Sequence, residues 1–530
     1  MLTFLPVLLI LFLAGLIFAL YWSEQGRRYA WLISVFGLLI TWIGLFSLHW
    51  FRLPEAVFPA WRPYEPLTAD QIIFRWDDNG WVYAVNLVGL LLAVVLTAPV
   101  RFKYNSNPLS WSSAMVFTAV GLLSILSGSP LALAISWTLL DVIEVVYVML
   151  IIRDYRFRRE VLTSFALRIF SVGLLISVII LARQPGLGFT FANVLPADLP
   201  LLILAVILRL GVLPLNLRYE KELPLQNGLT SLMRITGQIS GLALLAKLPA
   251  SVAVGEEASW IYVIILLLIF YASVMWLLSE NEIAGRTFWG LSFSGLAILS
   301  ALQGKAPFST VWGVAIICWG GMIYLFTVRS QRLRLLMAMA LLSFSGLPFT
   351  VLSSGWQTVA SNTGLTILTS IIWLVMGAGF IRHIFSERES SKSFEPYIVT
   401  TYTLGLVVLL AAAWVSVGLG LQNGLQTGIW WGSIPVFGFL AFSGQKFFRG
   451  KSPANISNSR AVWVQNLIQK LIGLMSGFLQ FNWLYAILRL VFHLVQAIIR
   501  FLTVLFEGEG GVLWSVLLLV LLISIFSGSQ

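Results

Sequence analysis

The chain has 530 residues, of which 59% are hydrophobic and only 10% are charged, and it contains 36 Phe and 22 Trp. That composition excludes a single water-soluble core and predicts an all-α polytopic membrane protein, because helices satisfy their own backbone hydrogen bonds in lipid. The net charge of +11 does not indicate nucleic-acid binding, since Arg and Lys fall in short loops between apolar runs, where the positive-inside rule explains them.

The first apolar run, LTFLPVLLILFLAGLIFAL at residues 2–20, is long enough to cross about 30 Å of hydrocarbon. It lacks the basic start and small-residue cleavage site of a secretory signal, so we interpret it as a retained span. We expect about 16 transmembrane helices in all. Further spans are predicted near residues 81–100, 111–127, 130–152, 161–183, 198–220, 225–248, 259–279, 284–302, 310–328, 334–357, 360–382, 396–421, 428–446 and 511–527.

Basic residues predict how the chain is oriented in the membrane. Arg27/Arg28, Arg101/Lys103 and the cluster at 153–159 follow the first, third and fifth spans, so these ends are expected on the cytoplasmic side. The segment 51–80 mixes both signs of charge with prolines and tryptophans, as an ordered outer loop would. We therefore predict a multi-pass protein of the inner (cytoplasmic) cell membrane with its N-terminus outside.

Two spans, five apart, are interrupted by glycine and proline: the seventh at Gly211 and Pro214, and the twelfth at Gly346 and Pro348. One such break is explained by a packing kink, whereas a pair at corresponding places favours inverted repeats with enclosed, unwound backbone. The predicted divisions are N-terminal spans 1–3 (1–110), a first antiporter-like repeat (111–248), a second repeat (249–382), spans 14–15 with a loop (383–460), a lateral helix (461–506) and a final span (511–527).

The lateral helix is predicted from a polar stripe that recurs at steps of three or four residues. A helix over 461–506 would be roughly 70 Å long, more than a bilayer crossing needs, so it is expected to lie along the membrane. The alternative is an ordinary span at 481–506, but it would place Arg489, His493, Gln496 and Arg500 within the hydrocarbon.

These features together resemble the antiporter-like membrane subunits of complex I, the L, M and N subunits of NADH-quinone oxidoreductase, and the related Mrp cation antiporters. In the family pattern K-x-x-x-x-P-x-H-x-W-L-P, Arg209 takes the place of the lysine, Pro214 that of the proline and Asn216 that of the histidine. Pro224 and Gly237 match later positions of the family's sequence pattern. The order of fifteen spans, a long lateral helix and a sixteenth span is most similar to subunit L.

Other positions of the resemblance depart from the family's chemistry. Gly346, Leu347 and Pro348 reproduce its G-L-P, but Trp356 stands where a terminal lysine is usual, and Thr138 stands at the glutamate position of the fifth helix. The resemblance implies a subunit of a proton-translocating respiratory complex whose quinone and NADH sites lie on other subunits. Other membrane subunits and the lipid bilayer are the implied partners.

No catalytic, metal or cofactor site is predicted in this chain. It has no metal-spaced His/Cys/carboxylate cluster, no Ser/His/Asp set and no phosphate loop, and its single cysteine, Cys318, excludes an internal disulfide or a thiolate cage. Any oxidoreductase activity would belong to the complex.

Ionisable residues within the spans bear on whether the chain is a scaffold subunit or an ion translocator. The candidate intramembrane charge network consists of Asp141, Glu144, Arg168, Arg209, Arg234 and Lys247. Arginine stays protonated, so Arg209 and Arg234 are expected to be fixed charges that Asp141 and Glu144 neutralise. The first hypothesis is a scaffold subunit with a degenerate proton path. The alternative is an active proton or cation translocator, as part of an Mrp system, a membrane hydrogenase or an inorganic-carbon uptake system, in which Asp141, Glu144 and Lys247 carry the ion.

Overall fold

Apolar sequence runs form long helices in the computed structural model, which describes a defined part of the chain. The described residues are 2–51, 53–58, 71–100, 108–151, 155–181, 190–191, 194–195, 197–212, 228–249, 259–279, 282–325, 328–329, 331–359, 363–384, 389–390, 394–421 and 425, with single residues between 490 and 520.

The N-terminal helices follow the predicted order. A short 3₁₀ turn, Leu2–Phe4, leads into α1 (Leu5–Tyr21), and then come α2 (Glu24–Ser47) and α3 (Asp78–Leu96). Ser23 and Asp77 cap α2 and α3 by accepting hydrogen bonds from the backbone N–H groups of Gly26 and Gly80. The prediction of spans here is confirmed.

The middle of the chain contributes two groups of helices. The first group is α4 (Pro108–Leu126), α5 (Pro130–Ile151), α6 (Tyr155–Leu181), α7 (Leu199–Leu210) and α8 (Gly228–Ala246). The second is α9 (Ser259–Leu278), α10 (Glu282–Leu302), α11 (Ser309–Ala315), a π-helical turn (Ile316–Gly320), α12 (Gly321–Leu325), α13 (Gln331–Ser343), α14 (Ser353–Val359) and α15 (Thr363–Ile384). The last is α16 (Pro396–Gly420).

Ten helices in the described part of the chain are long and apolar enough to cross a membrane, and two shorter apolar helices accompany them. The protein is therefore an all-α polytopic membrane protein, as predicted. The span predicted at 428–446 lies outside the described residues, as do most of the lateral helix and of the final span. Within 461–506 the described residues are Leu490, His493, Gln496, Ala497 and Arg500, and each is helical.

Both predicted helix breaks coincide with the ends of helices. Gly211 ends α7 with a φ of 68°, and the N–H groups of Gly211 and Val212 bond to the carbonyls of Leu208 and Ile207, which is a Schellman motif. In the twelfth span, Gly346 and Pro348 lie in the non-helical stretch between α13 and α14. Pro214, Asn216 and Pro224 lie outside the described residues, and the inverted repeat stays a prediction.

Small strands were not predicted from the sequence. Within the segment 51–80, β1 (Ala56–Phe58) pairs antiparallel with β2 (Ile72–Phe74), with Val57 opposite Ile73. Two further two-residue strands, β3 (Val328–Arg329) and β4 (Glu389–Ser390), pair in parallel. The β1–β2 hairpin lies on the end of α4, where the N–H of Gly128 donates to the carbonyl of Ile73 at 2.7 Å.

The core is organised around α3, whose membrane-spanning window is buried along its whole length. Helices α2, α4, α8, α11 and α16 all pack against it. The chain divides into two compact units, Met1–Val462 and Trp463–Gln530, and the helices α1 to α16 lie in the first. Helices of both middle groups pack against α3: α4 and α8 from the first group, and α11 from the second.

Close packing of α3 and α16 depends on glycine. A Cβ atom on Gly405 would lie 2.9 Å from a methyl carbon of Thr97 and 3.2 Å from the carbonyl oxygen of Ala93. By contrast, a Cβ on Gly44 of α2 would meet nothing within 4 Å. Small residues that let helix backbones approach closely are a main source of association between helices in lipid.

We predict that Gly405→Ala lowers the free energy of unfolding by about 1–3 kcal/mol through overpacking. Gly44→Ala is the matched control, and it should leave stability unchanged or raise it by up to about 1 kcal/mol, since Ala is the better helix former. The thermal midpoint of the detergent-purified chain would measure both. Equal effects of the two variants would contradict this account of the α3–α16 contact.

Candidate functional site

One face of α5 carries the polar residues that point into the protein. Trp137, Asp141 and Glu144 are spaced at i, i+4 and i+7, and all three are buried. The opposite face, with Leu139 and Val142, is exposed. Helical spacing therefore aims two carboxylates at the neighbouring helices and leaves apolar side chains for lipid.

Asp141 is held by two arginines from two other helices. Its carboxylate accepts two hydrogen bonds from Arg209 of α7, at 2.9 and 3.3 Å, and lies 3.2 Å from Nη1 of Arg168 of α6. All three side chains are 2% exposed or less. A bidentate arginine–carboxylate contact of this kind is among the strong, directional ion pairs of proteins.

Glu144 completes the cluster through Arg168, whose Nη1 also donates to Oε2 of Glu144. The cluster has two positive and two negative side chains: Arg168 and Arg209, and Asp141 and Glu144. We call them the charge cluster. Its formal net charge is zero, which is the condition under which charges can be kept away from water without a large desolvation penalty.

Two residues that the sequence analysis did not single out fix the position of Arg209. Nε of Arg209 donates to the hydroxyl of Ser240 at 3.2 Å, and the guanidinium carbon lies 4.3 Å from the ring centroid of Trp137. The indole N–H of Trp137 in turn donates to the carbonyl of Ser240 at 3.0 Å. Trp137 lies one helical turn before Asp141. That i, i+4 spacing was the sequence signal that could have predicted the contact of Trp137 with the cation that binds Asp141.

The remaining two residues of the predicted network lie on α8 or at its end. Arg234 is a buried residue of α8. Lys247 follows the last residue of α8, and its ammonium donates to the carbonyl of Ile125 at 2.5 Å and to that of Ser127. These carbonyls belong to the end of α4, so Lys247 joins α8 to the terminus of a neighbouring helix.

Lys247 is the member of the predicted network that can exchange a proton near neutral pH. Burial of its ammonium lowers the pKa of Lys247 to about 8, while the nearby carboxylate of Asp77 raises the pKa and the guanidinium of Arg75 lowers it. Arginine, in contrast, stays protonated in proteins. The charge cluster thus contains fixed positive charges, and the titratable lysine is placed at a helix end.

The helices α9 to α15, which we call the second half of the fold, have a different interior. No Asp, Glu, Lys, Arg or His occurs in residues 259–278, 306–325, 335–359 or 363–381. Aromatic rings fill the space instead, with centroids 4.7 Å apart for Trp289 and Phe293 and 5.0 Å apart for Trp312 and Trp356. Buried hydroxyl groups are present as well. Those of Ser273 and Ser292 each donate a hydrogen bond to a backbone carbonyl of their own helix.

His383 and Arg382, in the last turn of α15, contact the end of α9. Nε2 of His383 lies 3.0 Å from both the hydroxyl of Ser279 and the carbonyl of Trp276, and Arg382 donates to the carbonyl of Leu277. The final carbonyls of a helix lack intrahelical donors, and these side chains supply partners for them. No group of three or more His, Cys, Asp or Glu that could hold a metal occurs among the described residues.

Solved structures share this fold at low sequence identity. A chain of the Mrp complex from Dietzia sp. DQ12-45-1b superposes with a TM-score of 0.61 at 14% identity, over 94% of this chain and 63% of that one. A chain of the membrane-bound sulfane sulfur reductase, an archaeal respiratory membrane complex, gives a TM-score of 0.64 at 13% identity, over 98% and 99% of the two chains. A chain of respiratory complex I from Thermus thermophilus gives 0.56 at 15%, over 79% and 100%.

This chain has the antiporter-like fold. It spans about two thirds of the length of the Mrp chain that it matches. No protein-family model matches the sequence. No curated protein matches it either. The fold therefore rests on the course of the helices, which all three structures share with this chain.

Side-chain contacts show which residue of α5 faces Arg209. Thr138, which takes the glutamate position in the sequence resemblance, lies on the exposed face of α5 and donates to the carbonyl of Ala134 at 2.8 Å. Asp141, one turn further on, is the carboxylate that contacts Arg209. In this chain, the carboxylate of α5 that faces Arg209 is therefore that of Asp141, and Thr138 lies on the other face.

We predict that Asp141→Asn and Arg209→Gln, made singly, each destabilise the fold by about 3–5 kcal/mol, because each leaves the charge cluster with one uncompensated buried charge. The double variant should lose less than the sum of the two, with a coupling of about 0.5–3 kcal/mol. Chemical unfolding of the detergent-purified protein would measure these values.

Thr138→Val is the matched control on the same helix, and it should change stability by no more than about 0.5 kcal/mol. Additive single effects of Asp141→Asn and Arg209→Gln would show that the two side chains do not stabilise the fold as a pair.

Proposed function

We propose that this chain is a membrane-arm subunit of a complex I-like respiratory complex, in which it has mainly a structural or assembly role. Its antiporter-like fold supports membership of such an assembly, because chains of three multi-subunit membrane complexes have the same fold. The basic loops support a location in the cytoplasmic membrane with the N-terminus outside. The predicted lateral helix at 461–506 would provide a contact surface for neighbouring subunits.

One observation carries the structural role: Asp141 is bound by Arg168 and Arg209, which both stay protonated. A proton relay needs neighbouring groups that exchange protons in that range. Both cations that bind Asp141 are guanidinium groups, which stay protonated and so neither deliver a proton to the carboxylate nor take one from it. The charge cluster therefore acts as a fixed joint between α5, α6 and α7.

The second half supports the same interpretation. Residues 259–278, 306–325, 335–359 and 363–381 contain no charged side chain, and aromatic rings occupy the interior. A buried arginine of α10, Arg286, lies over the ring of Tyr324. A charge crossing this region would be separated from both water and counter-charge, which is costly in hydrocarbon. Those four stretches offer a continuous proton path no Asp, Glu, Lys or His, and Arg286 stays protonated.

A second candidate function is proton or cation translocation through the first half, and Lys247 is the observation that favours it. Its pKa of about 8 allows it to gain and lose a proton at neutral to slightly alkaline pH. The hydroxyl of Ser127, whose carbonyl binds Lys247, lies 3.3 Å from that of Ser136 on α5. Ser136 precedes Asp141 by five residues, so these two hydroxyl groups connect the carbonyl ligand of Lys247 with the helix that carries Asp141.

Purification from native membranes in mild detergent tests the assembly. We expect the full-length chain to bring down other multi-pass membrane subunits and at least one redox-active soluble subunit in equal amounts. Mass spectrometry of the intact complex would measure their stoichiometry. A chain that purifies alone contradicts the proposal.

Lys247→Gln separates the two functions. Gln keeps an N–H donor for the carbonyls of Ile125 and Ser127 but cannot titrate. If the role is structural, the purified complex carrying Lys247→Gln should generate the same pH gradient per turnover in proteoliposomes as the wild type. A smaller gradient at equal turnover would instead establish translocation through the first half. Asn79→Gln, beside the same helix end, is the control for local packing, since Asn79 donates to the carbonyl of Ala246.

A further inference from the structure

The break in the twelfth span poses a physical problem at membrane depth. In a continuous helix, the carbonyl of Phe344 would accept a hydrogen bond from the backbone N–H of residue 348. Residue 348 is proline and has no N–H. An unsatisfied carbonyl in hydrocarbon costs several kcal/mol, so breaks of this kind are found where water or protein groups replace the missing donor.

Here side chains of the protein replace the donors. The indole N–H of Trp356 donates to the carbonyl of Phe344 at 3.3 Å, which is the carbonyl that Pro348 leaves without its partner. The hydroxyl of Thr350 donates to the carbonyls of Ser345 and Leu347, at 2.7 and 2.6 Å. The carbonyls of Phe344, Ser345 and Leu347 thus have side-chain donors within the protein.

Aromatic rings cover the same stretch. Phe344 lies 5.7 Å from Trp289 and 6.0 Å from Trp319, measured between ring centroids, and Trp356 lies 5.0 Å from Trp312. All five rings are less than 5% exposed. Trp319 also donates its indole N–H to the carbonyl of Ala340 at 2.8 Å, so this ring too satisfies backbone while it excludes solvent.

We propose that these five residues, Trp289, Trp312, Trp319, Phe344 and Trp356, form an ion-tight aromatic seal around the broken twelfth span. Trp356 is its positioning residue, because its N–H satisfies the carbonyl at the break and its ring joins Phe344 to Trp312. Water and ions are excluded from the second half by this seal. The seal does not depend on the complex that the chain joins, and if ions cross the first half, the seal confines them there.

The single cysteine of the chain reports on the seal. Cys318 is fully buried in the π-helical turn, next to Trp319. In the folded wild-type chain, within its complex, a charged and membrane-impermeant methanethiosulfonate should not label Cys318, whereas labelling should be complete after unfolding in SDS. Rapid labelling of the folded wild type would overturn the proposal without any variant.

Two substitutions separate the two contributions of Trp356. Trp356→Ala removes the ring and the N–H, and we expect the labelling rate of Cys318 and the proton permeability of proteoliposomes to rise by about tenfold or more, because water can enter the unpaired break. Trp356→Phe keeps a ring but leaves the carbonyl of Phe344 without its donor, so an intermediate increase is expected. A seal based on bulk alone would leave Trp356→Phe unchanged.

Trp42→Phe is the matched control. The indole of Trp42 donates to the carbonyl of Val85 at 3.0 Å, so the same substitution removes a comparable hydrogen bond between α2 and α3. It should alter neither Cys318 labelling nor proton permeability. If Trp356→Ala elutes and melts like the wild type and still leaves both quantities unchanged, the seal is refuted. If Trp356→Ala does not fold, Trp356→Phe and the wild-type labelling decide the question.

Discussion

Charges that leave water must neutralise one another, and the first half of this fold depends on how Asp141 meets that requirement. Its carboxylate binds guanidinium groups from two other helices, so α5, α6 and α7 share one neutral cluster. Removing one member of the cluster leaves an uncompensated buried charge, so the remaining side chains no longer stabilise the contact between the helices. Ser240 and Trp137 extend the same contact to α8, because both hold Arg209 in place. The orientation of four helices about their axes follows from this one set of interactions.

In the second half, the broken twelfth span solves the problem of buried polarity without charges. Its polar groups are backbone carbonyls at the helix break, and indole and hydroxyl donors satisfy them. Tryptophan suits this task because it combines a large apolar ring with a single donor. The two halves therefore stabilise broken helices in different ways: a Schellman motif at Gly211 ends α7 beside a charge cluster, whereas aromatic side chains enclose the break at Pro348.

The chemistry at the centre of the first half depends on the residue at position 209. Proton transfer needs groups with pKa values near that of the surroundings, and arginine at position 209 is a permanent cation. The structural and assembly role that we propose follows from this difference, since the helices keep their arrangement while the central carboxylate is fixed. Lys247 is the exception, and its place at the end of α8, on the carbonyls of Ile125 and Ser127, limits any exchange of protons to that side of the first half.

The sequence by itself determined the fold class, the described spans and both helix breaks, because hydrophobic length and the conformational limits of Gly and Pro act locally. It also required that Asp141 and Glu144 find cationic partners, since hydrocarbon does not tolerate isolated charges. Only the tertiary structure decided which partners they find. Asp141 and Arg209 are 68 residues apart, and their contact depends on how α5 and α7 are rotated towards each other. That rotation places Thr138 on the exposed face. The β1–β2 hairpin and the bond from Trp356 to Phe344 were likewise set by tertiary packing, because neither has a local sequence signal: one pairs three-residue strands across a loop, and the other replaces a donor that proline removed with one from the next helix.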